Sequence, residues 1–352
     1  MHRYWSKQIE TLDPYIPGEQ PQDQQYIKLN TNESPYPPSP TVAEALKTFP
    51  SESLRRYPDP ESGQLVTALA EYHDVDPKQV FVGNGSDEVL AHAFQAFFRQ
   101  DYPILFPDIS YSFYPVYCRL YQIEYRQPAL DQSFRINIQD YASANGGIII
   151  PNPNAPTGIA LETGALRELL ADNPESVVII DEAYVDYGAE SAVQLIPEFP
   201  NLLVVQTFSK SRGLAGLRLG FALGQENLIE ALQRVKNSFN SYPIDSLTSS
   251  VALASIADED YFQQCCKQVI ASRDRLSAAL HQLGFEVFSS SSNFVFVRHA
   301  EVTAETLYHE LKSTGILVRH FKKTRIDSCL RISIGSDPEC DALITALHKI
   351  LA

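Results

Sequence analysis

The chain carries a primary amine set between an apolar strand and an arginine. Lys210 closes the run Thr207-Phe208-Ser209-Lys210, with Leu202-Leu203-Val204-Val205 before it and a glycine-rich stretch ending at Arg218 after it. A lysine at the end of a buried strand, with a hydroxyl (Ser209) and a guanidinium (Arg218) close in sequence, has what is needed to form a Schiff base and clamp a phosphate. Pyridoxal phosphate asks for that combination. A strand-end lysine that is merely solvated needs no such companions. A second segment, Asp181-Glu182-Ala183-Tyr184, follows the apolar run Val177 to Ile180. Its carboxylate could keep a pyridine nitrogen protonated, so that the ring acts as an electron sink, and its phenol could donate to the ring's phenolic oxygen.

A third segment suits the phosphate. Gly83-Asn84-Gly85-Ser86-Asp87-Glu88 precedes residues whose apolar positions, Val89, Leu90, Ala93, Phe94 and Phe97, recur at helical spacing. Small residues at a helix start allow close backbone approach, and the free N–H groups there attract an anion. The bland alternative is a turn capped by Ser86. A dinucleotide-binding fingerprint fits less well, because Glu88 stands where its third glycine belongs. Arg218 supplies a rigid fork for a phosphate, with a structural ion pair as its competing role.

These residues need elements to hold them. Between about 79 and 223, short apolar runs (79–82, 104–106, 148–150, 177–180, 202–205 and 219–223) alternate with helical periodicity. That alternation predicts an α/β fold with a mostly parallel sheet flanked by helices. Ligands of such sheets bind beyond the carboxyl ends of the strands, where Gly83 to Asp87, Asn152 to Gly158, Asp181 and Lys210 all fall. Residues 1–40, rich in proline, asparagine and glutamine, read as an N-terminal arm and part of a small lobe; 41–245 form the large domain and 246–352 a smaller α+β domain. In the latter, helices are expected at 247–257, 261–283, 303–314 and 337–351, and strands at 285–288, 293–297, 316–318 and 330–334.

Bulk composition narrows the function. Lys and Arg number 28 against 43 Asp and Glu, a formal charge of −15, which argues against nucleic acid as a partner and favours small molecules. No apolar run is long enough to cross a bilayer and the N-terminus has no apolar leader, so a cytoplasmic location is expected, with no membrane partner. The five cysteines, including adjacent Cys265 and Cys266, make no metal-binding spacing and are read as reduced; no metal is expected.

Taken together and in order, Leu29-Asn30-Thr31-Asn32-Glu33-Ser34-Pro35-Tyr36, Arg56-Tyr57-Pro58-Asp59, Gly83 to Glu88, Asn152-Pro153-Asn154-Ala155-Pro156-Thr157-Gly158, Asp181 to Tyr184, Ser209-Lys210 with Arg218, and Leu330-Arg331-Ile332-Ser333 closely resemble the histidinol-phosphate aminotransferases, class II aminotransferases among the fold type I pyridoxal phosphate enzymes. The resemblance spans nearly the whole chain. It implies that Lys210 forms the Schiff base and shuttles the proton, that Asp181 pairs the pyridine nitrogen, and that Tyr184 meets the phenolic oxygen while Tyr111 stacks on the ring. Gly85, Ser86, Ser209 and Arg218 would hold the phosphate, joined by Tyr57 of a partner subunit in a homodimer with shared sites. Arg331, assisted by Arg319, would take the substrate's anionic group, with Tyr15 and Asn32 lining the pocket. The implied reaction is a ping-pong transamination between L-histidinol phosphate and 2-oxoglutarate, giving imidazole acetol phosphate and L-glutamate, a step of histidine biosynthesis.

One position departs from the family's pattern. An asparagine often precedes Pro156 and donates to the phenolic oxygen, but this chain has Ala155. Either Asn154 turns in, or Tyr184 works with a water. The basic run Arg319-His320-Phe321-Lys322-Lys323-Thr324-Arg325 reads either as a solvated loop, the expectation for Lys322, Lys323 and Arg325, or as local attraction for an anionic substrate. Competing activities on the same frame are an aromatic amino acid aminotransferase and an amino acid phosphate decarboxylase of the threonine-phosphate type. A non-catalytic cofactor-binding domain and a nicotinamide dehydrogenase are the alternatives from other classes.

Overall fold

The computed structural model describes residues 2–21 and 23–352; Met1 and Gln22 of the expected arm lie outside them. Seven strands form the central sheet in the order Val80–Asn84, Leu219–Gly224, Leu202–Thr207, Val178–Asp181, Ile148–Pro151, Ile104–Leu105, Tyr125–Arg126. Leu219–Gly224 runs antiparallel to both neighbours, and the other pairs are parallel. Every residue of Val178–Asp181 and Leu202–Thr207 is buried, which is why these runs are continuously apolar rather than alternating. Leu166, Leu170, Ile180, Val204 and Leu223 pack on one face, and Phe81, Phe94, Ile149, Ile179 and Val205 on the other. Burying each such side chain contributes about 1.5–3 kcal/mol.

The six expected strands are all present. The edge strand Tyr125–Arg126 was not anticipated, because two residues are too few for a periodic signal. Register carries function here. Gly220 faces both Gly83 and Thr207 across the sheet, which brings the start of the helix Gly85–Phe97 beside the turn holding Ser209 and Lys210. A side chain at 220 would drive into the backbone of Gly85 and Ser86, so only glycine permits this approach.

The smaller lobe is a four-stranded antiparallel sheet, ordered Arg319–His320, Cys329–Ser333, Phe294–His299, Phe285–Val287. Against it pack the helices Glu259–Gln282, Ala304–Ser313 and Asp337–Leu351, through Leu276, Leu280, Leu307, Leu311, Leu343 and Leu347. Ser336 and Glu339 form a capping box at the last of these, and Thr303 caps the second. Arg319–His320 is therefore strand, not loop. The arm joins this lobe: Ile27–Lys28 pairs in parallel with Ile316–Leu317, and Leu29 is buried in its core. Further out the arm bridges the lobes, Asp13 pairing with Arg119 and Glu19 with Lys312. Both pairs are well exposed, so each stabilises by only about 0–1 kcal/mol.

Candidate active site

The helix Gly85–Phe97 starts with Asn84, not Ser86, at its cap position, and Glu88 reaches back to accept the Asn84 N–H at 2.6 Å. Gly85 and Ser86 thus present their amides at the positive end of the helix. Gly85 is left-handed, φ +77°, and a Cβ there would lie 2.5 Å from Arg218 Nη2. Arg218, itself at φ +58°, lies across that helix start and pairs with Asp87 at 3.1 Å. Ser209 is buried, and its Oγ accepts from Thr207 Oγ1 at 3.0 Å. Ser86, Ser209 and Arg218 share one cavity, of about 190 Å³, with Thr207, Lys210, Asp181, Tyr184 and Tyr111. An anion-binding end is thereby built from helix amides, hydroxyls and a guanidinium.

At the other end stands Asp181, the last residue of its strand and fully enclosed. Burial pushes its pKa up to about 6, against the opposing hydrogen bonds from the Tyr114 hydroxyl (2.8 Å) and the Ala183 N–H (3.3 Å). A cation placed beside it restores the charged form, which is what a pyridinium would do. The neighbouring Glu182 faces away, held by Ser191 and Gln206, and burial lifts it to about 7.

Lys210 lies between these ends. Its Nζ is 5.7 Å from the centre of the Tyr184 ring, and its one hydrogen bond, a long one, goes to the Thr31 carbonyl at 3.4 Å. Among the described residues no carboxylate pairs with it, so no ion pair holds the amine. Tyr184 accepts from Asn32 Nδ2 at 3.0 Å. Tyr111 forms a wall, its hydroxyl donating to Asp87 at 3.0 Å; burial raises its pKa well above the usual phenol value, so it stays protonated.

A second, wider cavity of about 430 Å³ opens from the first and shares Thr31, Asp87, Tyr111, Ala155, Tyr184, Lys210 and Arg218 with it. Arg319 and Arg331 are direct partners across two antiparallel strands, and both line it. Arg331 donates to the Asn30 carbonyl at 2.8 Å, yet its Nε is buried without a partner. Tyr15, Asn32 and Lys323 complete this chamber, with Tyr15 packed 4.8 Å from Phe113. Of the basic run, Lys322 pairs with Glu305 at 3.2 Å and Arg325 with Asp108 at 2.8 Å. Lys323 is exposed, as expected, while also lining the chamber, and its amine donates to the Asp108 carbonyl.

One expected contact lies elsewhere. Asn154 turns away: its Nδ2 donates to the Ile109 carbonyl and to Thr157 Oγ1, each at 3.0 Å, and it lines a separate cavity beside Phe134 and Ile159. Ala155 occupies the cofactor side instead. Tyr57 is 83% exposed and stacked on Tyr242, outside its own chain's cavity. Sequence reasoning gave no role to Asp87 or to Tyr114, the partners of Arg218 and Asp181. Asp87 lay inside a segment already singled out and Tyr114 three residues after Tyr111, and each is a polar residue that becomes informative only once its neighbour is known.

This sheet order, with a lysine, a carboxylate and an anion cradle at the strand ends, defines a class. The chain belongs to the class I and II aminotransferases, whose family pattern matches residues 24–347. Within that class it belongs to the histidinol-phosphate aminotransferase family. It is 57% identical over 351 residues to the histidinol-phosphate aminotransferase 1 of Hydrogenovibrio crunogenus, covering 100% of this chain and 99% of that one. It is 56% identical to that of Bradyrhizobium diazoefficiens over the full length of both. Among solved structures, a histidinol-phosphate aminotransferase from Sinorhizobium meliloti in complex with pyridoxal-5′-phosphate superimposes with a TM-score of 0.89 at 22% identity, covering 100% of this chain and 98% of that one. An L-threonine-O-3-phosphate decarboxylase from Porphyromonas gingivalis scores 0.80 at 23%, covering 92% of this chain and 99% of that one, so the frame alone does not fix the substrate.

Pyridoxal phosphate, the cofactor of this family, fits the residues present. The cradle at Gly85 and Ser86 excludes any Cβ at 85, Arg218 and Ser209 share its cavity, and burial raises the pKa of Asp181, where a neighbouring cation would favour the charged form.

Proposed function

We propose that this enzyme interconverts L-histidinol phosphate and 2-oxoglutarate with imidazole acetol phosphate and L-glutamate, in the cytoplasm, as a step of histidine biosynthesis. The observation that carries this reading is the pair Arg319 and Arg331. They face one chamber with Lys210, have no carboxylate partner among the described residues, and leave the buried Arg331 Nε unmatched. A buried guanidinium without a counter-anion is costly, and a phosphate or carboxylate of the substrate relieves it. The relatives' names agree on the phosphate.

When bound, pyridoxal phosphate supplies an aldehyde and an electron-withdrawing ring that make the substrate's Cα proton acidic. The protein supplies the rest. Ser86, Ser209 and Arg218 anchor one end, Asp181 sets the charge at the other, and Tyr111 and Tyr184 fix the plane between them. Lys210, which lines this cavity, would be the base that takes the proton from the substrate's Cα and the acid that delivers it to the cofactor's C4′. Tyr15 and Tyr111 offer aromatic surface for an imidazole in the chamber where Arg331 and Arg319 would hold the phosphate. With 2-oxoglutarate the same arginines hold a carboxylate.

The active form we propose is a homodimer. Tyr57 and Tyr242 stack on one another in the open, Phe239 is exposed as well, and it lines an apolar groove with Phe113, Leu120 and Tyr121 that also holds Asp87 and Arg218. A second copy would cover this surface and bring Tyr57 to the partner's phosphate site.

The test compares L-histidinol phosphate with unphosphorylated L-histidinol. Arg331→Met should raise KM for the phosphate by about 100-fold or more, the effect of losing a charge-assisted pair, and narrow the discrimination between the two substrates. Undiminished discrimination would contradict the assignment.

A further inference from the structure

Three buried groups form a chain that ends on Tyr184. The Asn32 N–H donates to Ser333 Oγ at 2.9 Å, and Ser333 Oγ lies 2.8 Å from Asn32 Oδ1. Asn32 Nδ2 then donates to the Tyr184 hydroxyl at 3.0 Å. Ser333 is 2% exposed and Asn32 1%, so neither can complete its hydrogen bonding with solvent. This settles which way the amide points. Having accepted the backbone N–H, the Ser333 hydroxyl must place its own proton on an acceptor, and Asn32 Oδ1 is the one within reach. Were the amide reversed, that buried proton would have none. The backbone is fixed as well. Asn32 is left-handed, φ +59°, a conformation asparagine tolerates better than most residues, and Asn293 Nδ2 grips its carbonyl at 2.9 Å.

The consequence falls on Tyr184. Its oxygen is already engaged as an acceptor, and among the described residues it has no hydrogen-bond acceptor of its own. Its proton therefore points into the cavity it shares with Lys210, where Ala155 contributes only a methyl group. Lys210, Tyr111, Tyr187 and Arg331 are charged or titratable groups that act on it, and none of them is its hydrogen-bond partner. We propose that Asn32 and Ser333 are positioning residues, a relay that forces Tyr184 to act as donor to the cofactor's phenolic oxygen. This rests on the pyridoxal phosphate reading of the site and assigns Asn32 a task beyond lining the substrate pocket. The relay also answers what serves at Ala155: one phenol of fixed polarity takes the place of two independent donors.

The readout is the pH titration of the visible band of the lysine-bound cofactor, in the holoenzyme and without substrate. A hydrogen bond given to the phenolic oxygen spreads its negative charge and weakens its hold on the proton at the Lys210 nitrogen; without that bond the midpoint rises. Tyr184→Phe should raise it by about one pH unit, roughly tenfold in proton affinity. Asn32→Asp keeps size and backbone but turns an acceptor toward Tyr184, which should then donate to it, so the midpoint should rise by a similar amount. Since a new carboxylate also acts through its charge, the same change is made in Tyr184→Phe, where its effect should drop to less than about threefold. Ser333→Ala, which frees the amide to turn, should give a smaller rise in the same direction. Equal Asn32→Asp shifts in both backgrounds, no shift with Tyr184→Phe, or a Ser333→Ala enzyme titrating like the native one would each overturn the relay while leaving the cofactor in place. A native protein with no visible band would overturn the cofactor reading and the relay together.

Discussion

The Tyr114 hydroxyl donates to Asp181 Oδ2 at 2.8 Å, and both side chains are shut away from water. Burial works against the charge on Asp181 and Tyr114 works for it. The carboxylate proposed to meet the pyridine nitrogen is thus supported by a phenol on the helix Tyr114–Tyr121. Tyr114→Phe should weaken cofactor binding by about ten- to a hundredfold, the effect of losing a hydrogen bond to a charged acceptor. Titration of the cofactor-free protein with pyridoxal phosphate measures this directly, and unchanged affinity would show that Asp181 needs no such support.

Asp181 and its neighbour Glu182 set a pH dependence. Asp181 is lifted to about 6 and Glu182 to about 7, both above their unfolded values near 4. Stability from groups raised in this way is fully present below the unfolded pKa and is lost as pH rises through the folded one. In the cofactor-free protein these two carboxylates should therefore erode stability between about pH 4 and 7. A pyridinium beside Asp181 removes its share of the penalty, so the gain in Tm on adding pyridoxal phosphate should grow from pH 5 to 7.5. Calorimetry of native and Asp181→Asn protein checks this, since the Asp181 part of that growth should vanish in the variant.

Gly85 is a second point of strain. An alanine there would hold a left-handed backbone, costing about 1–2 kcal/mol, and would push Arg218 off the helix start. Gly85→Ala should lower Tm by a few degrees and reduce cofactor affinity by about 100-fold. Equilibrium dialysis separates the two effects: lower stability with native affinity would place the phosphate elsewhere.

Subunit mixing tests the shared site. Tyr57→Ala and Lys210→Ala proteins should each be impaired or inactive alone. Unfolded and refolded together, they should recover roughly a quarter of native activity, because each mixed dimer holds one intact site and one with both defects. No recovery would place Tyr57 outside the partner's site.

Much of this was legible in the sequence, because the strands that carry Asp181 and Lys210 are buried on both faces and read as unbroken apolar runs. Asp181 ends one of those strands and Ser209 and Lys210 follow the other, so locating the strands located three residues of one cavity. What stayed hidden depends on register or on pairs distant in sequence. The strand Arg319–His320 is two residues long, with neither apolar run nor alternation to betray it, yet it sets Arg319 opposite Arg331. Asn154 and Ala155 are adjacent, and which of them faces the cofactor is decided by bonds to Ile109 and Thr157. Asn32 and Ser333 stand at opposite ends of the chain and meet only because the arm pairs with the small lobe.

The most direct test is a single half-reaction. Purified holoenzyme mixed with L-histidinol phosphate, without 2-oxoglutarate, should form one equivalent of imidazole acetol phosphate per site and lose the visible band; 2-oxoglutarate should then restore the band with release of one equivalent of L-glutamate. Lys210→Ala should do neither while keeping its fold. Absence of imidazole acetol phosphate, with carbon dioxide released from a phosphorylated amino acid instead, would contradict the account.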